Sequence, residues 1–455
     1  MTPALRLESL FGMMVDRRAD PAIAERDTGH SYGDLIDAVD RAGDLIDQHQ
    51  ISGGDVVGLQ SDFSFRAIAL ALALFRRGCI VAFLSPRADV ETALADCSAT
   101  GAFRFSPDGT TGFHRLEHGG AHPLIEGLRA QGRAGFVIFS SGSSGTPKAI
   151  LHDLDAFLSA YERPMKPART LAFLLLDHVA GLDTLFYTLH AGGLLVIEPD
   201  RSPPAICRAI TRWQVEILPT SPSFLKLLCM SGAAEAANLG SLRIVTFGSE
   251  PMDGATLARI AEILPNAELR QKYGSSEFGA PSVKTRAGDE LWIKFHGETA
   301  QVIEGMLWVR ASTTMLGYLN AEQPLAKDGW LCTGDRIEQR DGWLRILGRN
   351  SDLINVGGEK VFPSEVEAVI SEIEEVAEVA VSGESHPLMG QVVCAMVRPK
   401  ANTSDFAVLR SIVRKHCMKR LTRYKVPMKI NFTTNALFND RQKIVRLSQA
   451  TIAQG

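Results

Sequence analysis

Short apolar runs alternate with amphipathic stretches along most of this 455-residue chain. Residues 31–48 carry apolar side chains at positions 35, 36, 39, 42 and 45, a spacing that predicts a helix with one buried face. Residues 67–75 are apolar throughout and predict a fully buried helix. Short continuous apolar runs, which are typical of strands buried on both faces, occupy residues 55–60, 135–140, 170–176, 194–197 and 242–247. Strands that alternate with helices predict α/β architecture.

A break in the pattern near residue 350 divides the chain. A predicted strand ends at Gly348, and a pair of glycines, Gly357 and Gly358, precedes a helix start at Pro363. The length fits two or three domains. We therefore predict a large multilayer α/β N-terminal domain over residues 1–349, a hinge at 350–351, and a small, mobile α+β lid domain over residues 352–455.

The composition is that of a globular protein, with 45% hydrophobic residues. Seven scattered cysteines without CxxC spacing indicate neither a zinc site nor a disulfide framework. The apolar run at 67–75 is far shorter than the roughly 20 residues that a membrane-spanning helix needs. We expect a cytoplasmic protein with no membrane and no nucleic-acid partner.

Positive charge is concentrated at the C-terminal end. Residues 401–455 contain eleven lysines and arginines but only two acids, although the whole chain has a formal charge of −4. Within this segment Arg414, Lys415, Lys419 and Arg420 lie close together. Both a solvated helix face and a surface for phosphates or an acidic partner protein fit this pattern.

The strongest chemical motif spans residues 139–148, directly after a predicted strand. Its glycines allow backbone N–H groups to approach an anion, and its hydroxyls and terminal lysine offer further donors and a positive charge. The candidate phosphate-binding residues are Ser140, Ser141, Gly142, Ser143, Ser144, Gly145, Thr146 and Lys148. A flexible linker is the alternative, but the preceding strand and the closing Thr-Pro-Lys argue against it. The Walker A pattern is not met.

This loop resembles the phosphate loop of the acyl-adenylating (AMP-binding) superfamily, which includes acyl-CoA synthetases, nonribosomal adenylation domains and firefly luciferase. The style is that of a compact acyl- or aryl-CoA synthetase. Further segments resemble motifs of the same family in the same order, namely residues 31–35, 54–57, 271–277, 329–335, 348–349, 357–359 and 363–367. The resemblance implies an ATP-dependent acid–thiol ligase that forms an acyl-adenylate and passes the acyl group to CoA. The alternatives are the phosphopantetheine thiol of a free-standing acyl carrier protein and a non-thiol acceptor.

The resemblance also implies roles for individual nucleotide-site residues. Tyr273 would stack on adenine, Glu277 would hold Mg²⁺ on the phosphates, and Asp335 would accept hydrogen bonds from the ribose hydroxyls. Arg349 would contact the ribose near the hinge. Two neighbours complete the cofactor-binding set, Gly274 and Ser276. A core tyrosine and acids in exposed turns are the structural alternatives.

Lys443 resembles the lysine that serves adenylation in the family, and a long ammonium suits bridging a carboxylate and the α-phosphate. Gln442 replaces the usual glycine beside it, and Ser351 stands where the hinge residue is usually Asp or Lys. These departures motivate a rival hypothesis, in which the protein binds nucleotide without turnover.

The acid pocket is the least specific part of the pattern. By the same resemblance His178 would line the passage between acid and thiol, although a structural histidine fits as well, and Asp177 is ambiguous. Gly357 and Gly358 would leave room for a pantetheine arm. The candidate wall residues, which favour an apolar or aryl carboxylic acid, are Phe224, Phe247, Gly248, Gly274 and Ala280.

Overall fold

A computed structural model describes residues 4–105, 111–116, 122–140, 147–250, 252–289, 291–296, 299–324, 326–400, 405–435 and 437. Within these residues the α-helices are α1 Ala4–Asp16, α2 Tyr32–Gln48, α3 Phe65–Arg76, α4 Val90–Leu94, α5 Pro123–Ala130, α6 Leu154–Leu158, α7 Val179–His190, α8 Pro203–Trp213, α9 Pro222–Ser231, α10 Gly254–Ile263, α11 Pro363–Ser371 and α12 Phe406–Arg420.

The strands up to residue 285 are β1 Pro21–Glu25, β2 Thr28–Ser31, β3 Val56–Gln60, β4 Ile80–Leu84, β5 Ala99–Phe105, β6 Thr111–Arg115, β7 Gly135–Ser140, β8 Lys148–Asp153, β9 Arg169–Leu171, β10 Leu194–Ile197, β11 Ile217–Thr220, β12 Ile244–Phe247, β13 Glu268–Gln271 and β14 Val283–Thr285. The later strands are β15 Ile293–Phe295, β16 Ala300–Ile303, β17 Met306–Val309, β18 Gly317–Tyr318, β19 Ala326–Lys327, β20 Trp330–Arg340, β21 Trp343–Arg349, β22 Ile354–Val356, β23 Glu359–Val361, β24 Val376–His386, β25 Gly390–Pro399 and β26 Lys429–Phe432.

Two seven-stranded sheets form most of the N-terminal part. The first has the order β13-β12-β11-β9-β10-β1-β2 and is parallel except for the β1–β2 hairpin. The second has the order β18-β8-β7-β4-β3-β5-β6, with a parallel centre and antiparallel strands at both edges. Helices α2, α3 and α7 share one apolar cluster with strands of both sheets. The layered α/β fold predicted from the sequence is therefore confirmed.

The local predictions succeed where one element buries its own apolar residues. Ser31 caps α2 through a reciprocal capping box with Asp34, so the helix begins where the pattern predicts it. Residues 67–75 are all buried within α3. The predicted strand at 170–176 is wrong beyond Leu171, where β9 ends. The chain leaves the sheet there and crosses the start of α7 so closely that a Cβ on Gly181 would lie 1.9 Å from the Leu175 carbonyl oxygen.

The remaining sheets lie later in the chain. Strands β14-β15-β21-β20-β17-β16 form an antiparallel sheet, with β19 paired to β20. After the turn Asn350–Asp352, strands β23-β22-β25-β24 form another sheet, on which β26 pairs with β25 in parallel. Helices α11 and α12 pack on this sheet around a separate apolar cluster, giving the α+β C-terminal domain. No helix among the described residues has the length and apolarity to cross a membrane.

Candidate active site

The predicted phosphate motif begins and ends on two adjacent strands of the second sheet, so that its two ends lie side by side. Strands β7 and β8 are antiparallel, and Ser140, the last residue of β7, pairs with Lys148, the first residue of β8. The residues between them that were predicted to bind phosphate, 141–146, lie outside the described residues. The Lys148 ammonium lies 4.7 Å from the centre of the Tyr318 ring, which is cation–π distance.

Tyr318 connects this lysine to the predicted magnesium residue. It lies on β18, which pairs with β8, and its hydroxyl donates to Glu277 Oε1 at 2.9 Å. Burial and the Glu277 carboxylate both raise the pKa of Tyr318, so the hydroxyl keeps its proton and remains a donor. Tyr318 is not among the residues predicted from the sequence, because the Gly317-Tyr318 pair in an apolar stretch is its only local signal.

The predicted ribose residues form a second cluster. The Tyr273 hydroxyl donates to Asp335 Oδ2 at 2.6 Å, and Arg349 Nε lies 2.9 Å from Asp335 Oδ1. Arg349 also donates to the Thr333 carbonyl oxygen at 3.3 Å. Burial raises the pKa of Asp335, whereas the Arg349 charge and the Tyr273 hydrogen bond lower it. Cross-strand pairing of β20 with β21 places Asp335 directly opposite Arg349.

The Tyr273 side chain is buried, whereas a ring that waits to stack on a base would be exposed. Its side chain is 7% exposed, and its ring stacks on Phe278 with the centroids 5.7 Å apart. The stack on adenine stays a prediction, while the contact with Asp335 is a feature that the sequence did not indicate.

The two clusters belong to one site. Tyr273 and Glu277 are four residues apart on the same loop, and Glu277 influences the pKa of both Asp335 and Arg349 electrostatically. A cation, two carboxylates and an arginine are therefore linked by short contacts and by the loop that carries Tyr273 and Glu277.

Glu277 suits a magnesium ligand in chemical terms. Mg²⁺ is usually bound by one or two carboxylates together with substrate phosphates rather than by an all-protein cage. The described residues contain no cluster of three or more His, Cys, Asp or Glu side chains that could hold a metal alone. Glu277 is half-buried, and Tyr318 donates to its Oε1 atom.

The predicted acid-pocket residues occupy two different environments. Phe224 and Phe247 are fully buried in the core cluster beside the first sheet. The Phe224 ring packs against the Phe173 ring, with the ring centroids 4.4 Å apart. A Cβ on Gly248 would lie 2.7 Å from the Lys272 carbonyl oxygen, so a close approach of two chain segments requires glycine there. Their contact with an acid stays a prediction.

Two other predicted wall residues lie in the Glu277 loop. Gly274 approaches the Gly279 carbonyl oxygen, which would be 2.5 Å from an added Cβ. Ala280 follows directly and is half-buried. These two residues thus lie on the loop that carries Tyr273 and Glu277, whereas Phe224 belongs to the apolar core.

His178 immediately precedes α7, and its Nε2 lies 3.9 Å from Asp177 Oδ1. Asp177 is 5% exposed. The role of His178 in a thiol passage stays a prediction.

Gly357 and Gly358 form the two-residue turn between β22 and β23. Both have positive φ, +60° and +94°, which is the geometry of a tight hairpin and accounts for the two glycines. Gly357 N–H donates to the Met389 carbonyl oxygen at 2.8 Å. The proposed thiol passage is therefore an additional use of a turn that already needs glycine.

The described residues include the basic helix but not the predicted adenylation lysine. Lys443 lies outside the described residues, as do Gln442 and Phe438. Arg414, Lys415 and Lys419 are exposed on α12, while Arg420 pairs with Glu372 at 2.7 Å. Arg414, Lys415 and Lys419 are therefore the open part of the patch, and the two lysines lie one helical turn apart.

Comparison with known proteins identifies the family of the chain. The profile described as AMP-binding enzyme matches residues 15–297, and the profile described as AMP-binding enzyme C-terminal domain matches residues 365–441. The chain therefore belongs to the AMP-binding enzyme family.

Several known proteins are similar to the chain in sequence or in fold. The chain is 29% identical to an indoleacetate–CoA ligase of Aromatoleum aromaticum, over 77% of this chain and 74% of the relative. It is 26% identical to a p-hydroxybenzoic acid–AMP ligase of Mycobacterium tuberculosis, over 97% of this chain and 68% of the relative. The fold matches the crystal structure of the anthranilate CoA ligase AuaEII in complex with anthranoyl-AMP, with a TM-score of 0.81, 20% identity, and coverage of 96% of this chain and 95% of that one.

Proposed function

We propose that this protein is an AMP-forming acyl-CoA synthetase, an ATP-dependent acid–thiol ligase. The observation that carries the proposal is the double contact of Tyr318, which touches the Lys148 ammonium and donates to Glu277. Through the same loop, Tyr273 joins Glu277 to the Asp335–Arg349 pair. A phosphate cation, a metal carboxylate and a ribose acceptor are thereby held as one connected group, which suits ATP.

In the first half-reaction a carboxylate oxygen of the acid attacks the α-phosphorus of ATP, and the bond to pyrophosphate breaks. Two anions meet, so fixed positive charge must offset their repulsion. Lys443 would bridge the acid and the α-phosphate, while Lys148 and the 140–146 loop would hold the departing phosphates. Glu277 would bind Mg²⁺, which when bound neutralises phosphate charge.

In the second half-reaction the thiol attacks the acyl carbon and AMP leaves. We propose that residues 352–455 act as a lid that turns about residues 350–351 against an N-terminal domain of residues 1–349. The turn would bring the Gly357–Gly358 hairpin to the acyl group, with His178 along the thiol path. Lys443 and this hairpin would use one cleft in succession.

The substrate that we propose is an apolar or aryl carboxylic acid. The similar proteins described above are named for indoleacetate, p-hydroxybenzoic acid and anthranilate, which are all aromatic acids.

CoA is the proposed acceptor, and a free-standing acyl carrier protein is the second candidate. Exposed Lys415 and Lys419 favour an anionic acceptor of either kind, and one relative is named as an acid–AMP ligase, without mention of CoA. A cytoplasmic location is part of the proposal, since all seven cysteines are free thiols in the structure, as a reducing compartment would keep them.

The test is acid-dependent exchange of labelled pyrophosphate into ATP, run first over a panel of aryl and aliphatic acids. Exchange with an aryl acid would support adenylation, and thioester formation with CoA or a phosphopantetheinylated carrier would then identify the acceptor. Absence of exchange with every acid, together with normal ATP binding, would instead favour the nucleotide-binding protein without turnover.

A further inference from the structure

His152 is a buried histidine that connects two segments of the active site. It lies on β8, four residues after Lys148, and is 1% exposed. Its Nε2 lies 2.7 Å from the Ser276 carbonyl oxygen, which belongs to the residue directly before Glu277. Because a carbonyl oxygen only accepts, Nε2 carries the proton and donates. The imidazole stacks on Phe136, with the ring planes 8° apart and the centroids 4.7 Å apart.

The Glu277 loop is held through its backbone. Residues 275 and 279 exchange both of their backbone hydrogen bonds, at 3.0 and 2.9 Å. Between them, each carbonyl oxygen accepts from outside the loop: that of Ser276 from His152, that of Glu277 from Met315 N–H, and that of Phe278 from the Thr313 hydroxyl. The direction of the Glu277 side chain is therefore set by peptide groups that are fixed one by one.

Of these contacts, the one made by His152 comes from the strand that also carries Lys148. Strand β8 further pairs with β18, whose Tyr318 donates to the Glu277 carboxylate. Strand β8 thus restrains the backbone of the loop through His152, and its partner β18 restrains the carboxylate through Tyr318. The proposed phosphate cation and the proposed metal carboxylate are fixed relative to each other by this pair of strands.

We propose that His152 is a positioning residue for metal–nucleotide binding, which it supports by fixing the Ser276 peptide so that Glu277 faces the phosphates held beside Lys148. The inference rests on the proposed function, in which Glu277 binds Mg²⁺. The contact is a hydrogen bond between neutral groups, and its loss is expected to weaken metal binding about threefold to tenfold rather than abolish it.

The test compares His152→Phe with a matched control. Phenylalanine preserves the stack on Phe136 but has no donor for Ser276. The control is His190→Phe in α7, because the half-buried His190 likewise bonds a backbone carbonyl oxygen, that of Phe186, through a ring nitrogen at 2.9 Å, and its ring stacks on Tyr161. His152→Gln, which retains a side-chain N–H donor, serves as the rescue variant.

Two binding measurements separate positioning from general damage. Binding of Mn²⁺ in the presence of ATP is followed by the paramagnetic resonance of free Mn²⁺, and binding of AMP without metal is measured by calorimetry. We expect His152→Phe to weaken Mn²⁺·ATP binding threefold to tenfold and to leave AMP binding within twofold of the parent. His152→Gln should recover part of the loss, and His190→Phe should lower thermal stability without changing either affinity.

Parent-like Mn²⁺·ATP binding by a folded His152→Phe variant would overturn the inference, and so would an equal loss of AMP and Mn²⁺·ATP binding. If His152→Phe does not fold, His152→Met, which also lacks the donor, is held to the same outcomes. A parent protein that binds no Mn²⁺·ATP would overturn the proposed function and this inference with it, whereas normal parent binding confines a negative result to His152.

Discussion

Replacing Tyr273 with phenylalanine isolates the hydroxyl that contacts Asp335 while keeping the aromatic ring. Tyr273 and Asp335 are 7% and 9% exposed, and their oxygens are 2.6 Å apart. The ring would still pack on Phe278 and could still stack on a base. The change therefore separates the predicted adenine contact from the hydrogen bond that the structure shows.

The size of the effect follows from the partners of the carboxylate. A hydrogen bond to a charged group contributes about 1.5–3 kcal/mol. Arg349 continues to contact the other carboxylate oxygen, so the charge keeps a partner and the middle of this range applies. We therefore expect Tyr273→Phe to lower the free energy of unfolding by about 2 kcal/mol. This loss corresponds to about 30-fold in the unfolding equilibrium constant.

The pH dependence of binding gives a second signature. Burial raises the pKa of Asp335, and the Arg349 charge and the Tyr273 hydroxyl oppose that shift. Removing the hydroxyl raises the pKa of Asp335 further. If the ribose hydroxyls need the ionised carboxylate, AMP affinity will fall as the pH is lowered, and it will begin to fall at a higher pH in Tyr273→Phe than in the parent.

The assay is a double-mutant cycle of Tyr273→Phe and Asp335→Asn, measured by denaturant unfolding and by calorimetric AMP binding between pH 5 and 8. We expect a coupling energy of about 1–2 kcal/mol between the two changes, because Tyr273→Phe removes the donor and Asp335→Asn removes the acceptor's charge in one shared hydrogen bond. Additive effects within experimental error, or an unshifted pH profile in Tyr273→Phe, would refute the reasoning.

Three other changes test the proposed roles. Lys443→Ala should leave unfolding unchanged and slow pyrophosphate exchange at least 100-fold, since positioned charge commonly lowers such a barrier by several kcal/mol; near-parental exchange would remove Lys443 from the mechanism. Glu277→Gln should raise the Mg²⁺ concentration needed for half-maximal exchange, with partial recovery at excess Mg²⁺, and an unchanged requirement would assign Glu277 a structural role. Lys415→Glu combined with Lys419→Glu should slow thioester formation several-fold at low salt and spare adenylation, because these charges would act only when the acceptor arrives; equal loss in both half-reactions would contradict a role in acceptor binding.

Elements defined by local sequence were predictable. The spacing of one apolar stripe predicts the helix over 32–48, and a continuous apolar run predicts the buried helix over 65–76. The strand error at 170–176 arose because an apolar run does not reveal whether it stays in a sheet or crosses a helix. Only the tertiary position of Gly181 decides that question.

Contacts between distant segments were not predictable from the sequence alone. Motifs located Lys148 and Glu277, which are separated by more than 100 positions, but not the residues that hold them together. Tyr318 and His152 have no distinctive local pattern, because their roles depend on the pairing of β18 with β8 and on the approach of the Glu277 loop. Such residues become visible only when the sheet order is known.

The Asp335–Arg349 pair lies on one β-hairpin, and the proposed hinge follows this hairpin directly. Asp335 and Arg349 face each other across β20 and β21, and Arg349 is the last residue before the turn Asn350–Asp352. The neighbouring Arg336 donates through Nε to the Asn350 side chain at 2.9 Å, so the turn is tied to the strand that carries the ribose acceptor. A ribose that engages both Asp335 and Arg349 would therefore restrain the residue from which the C-terminal domain departs. A ligand can shift a conformational equilibrium only by differential contact with the two states, and the proposed ribose contact with Arg349 would lie directly beside the residues about which the rotation is proposed.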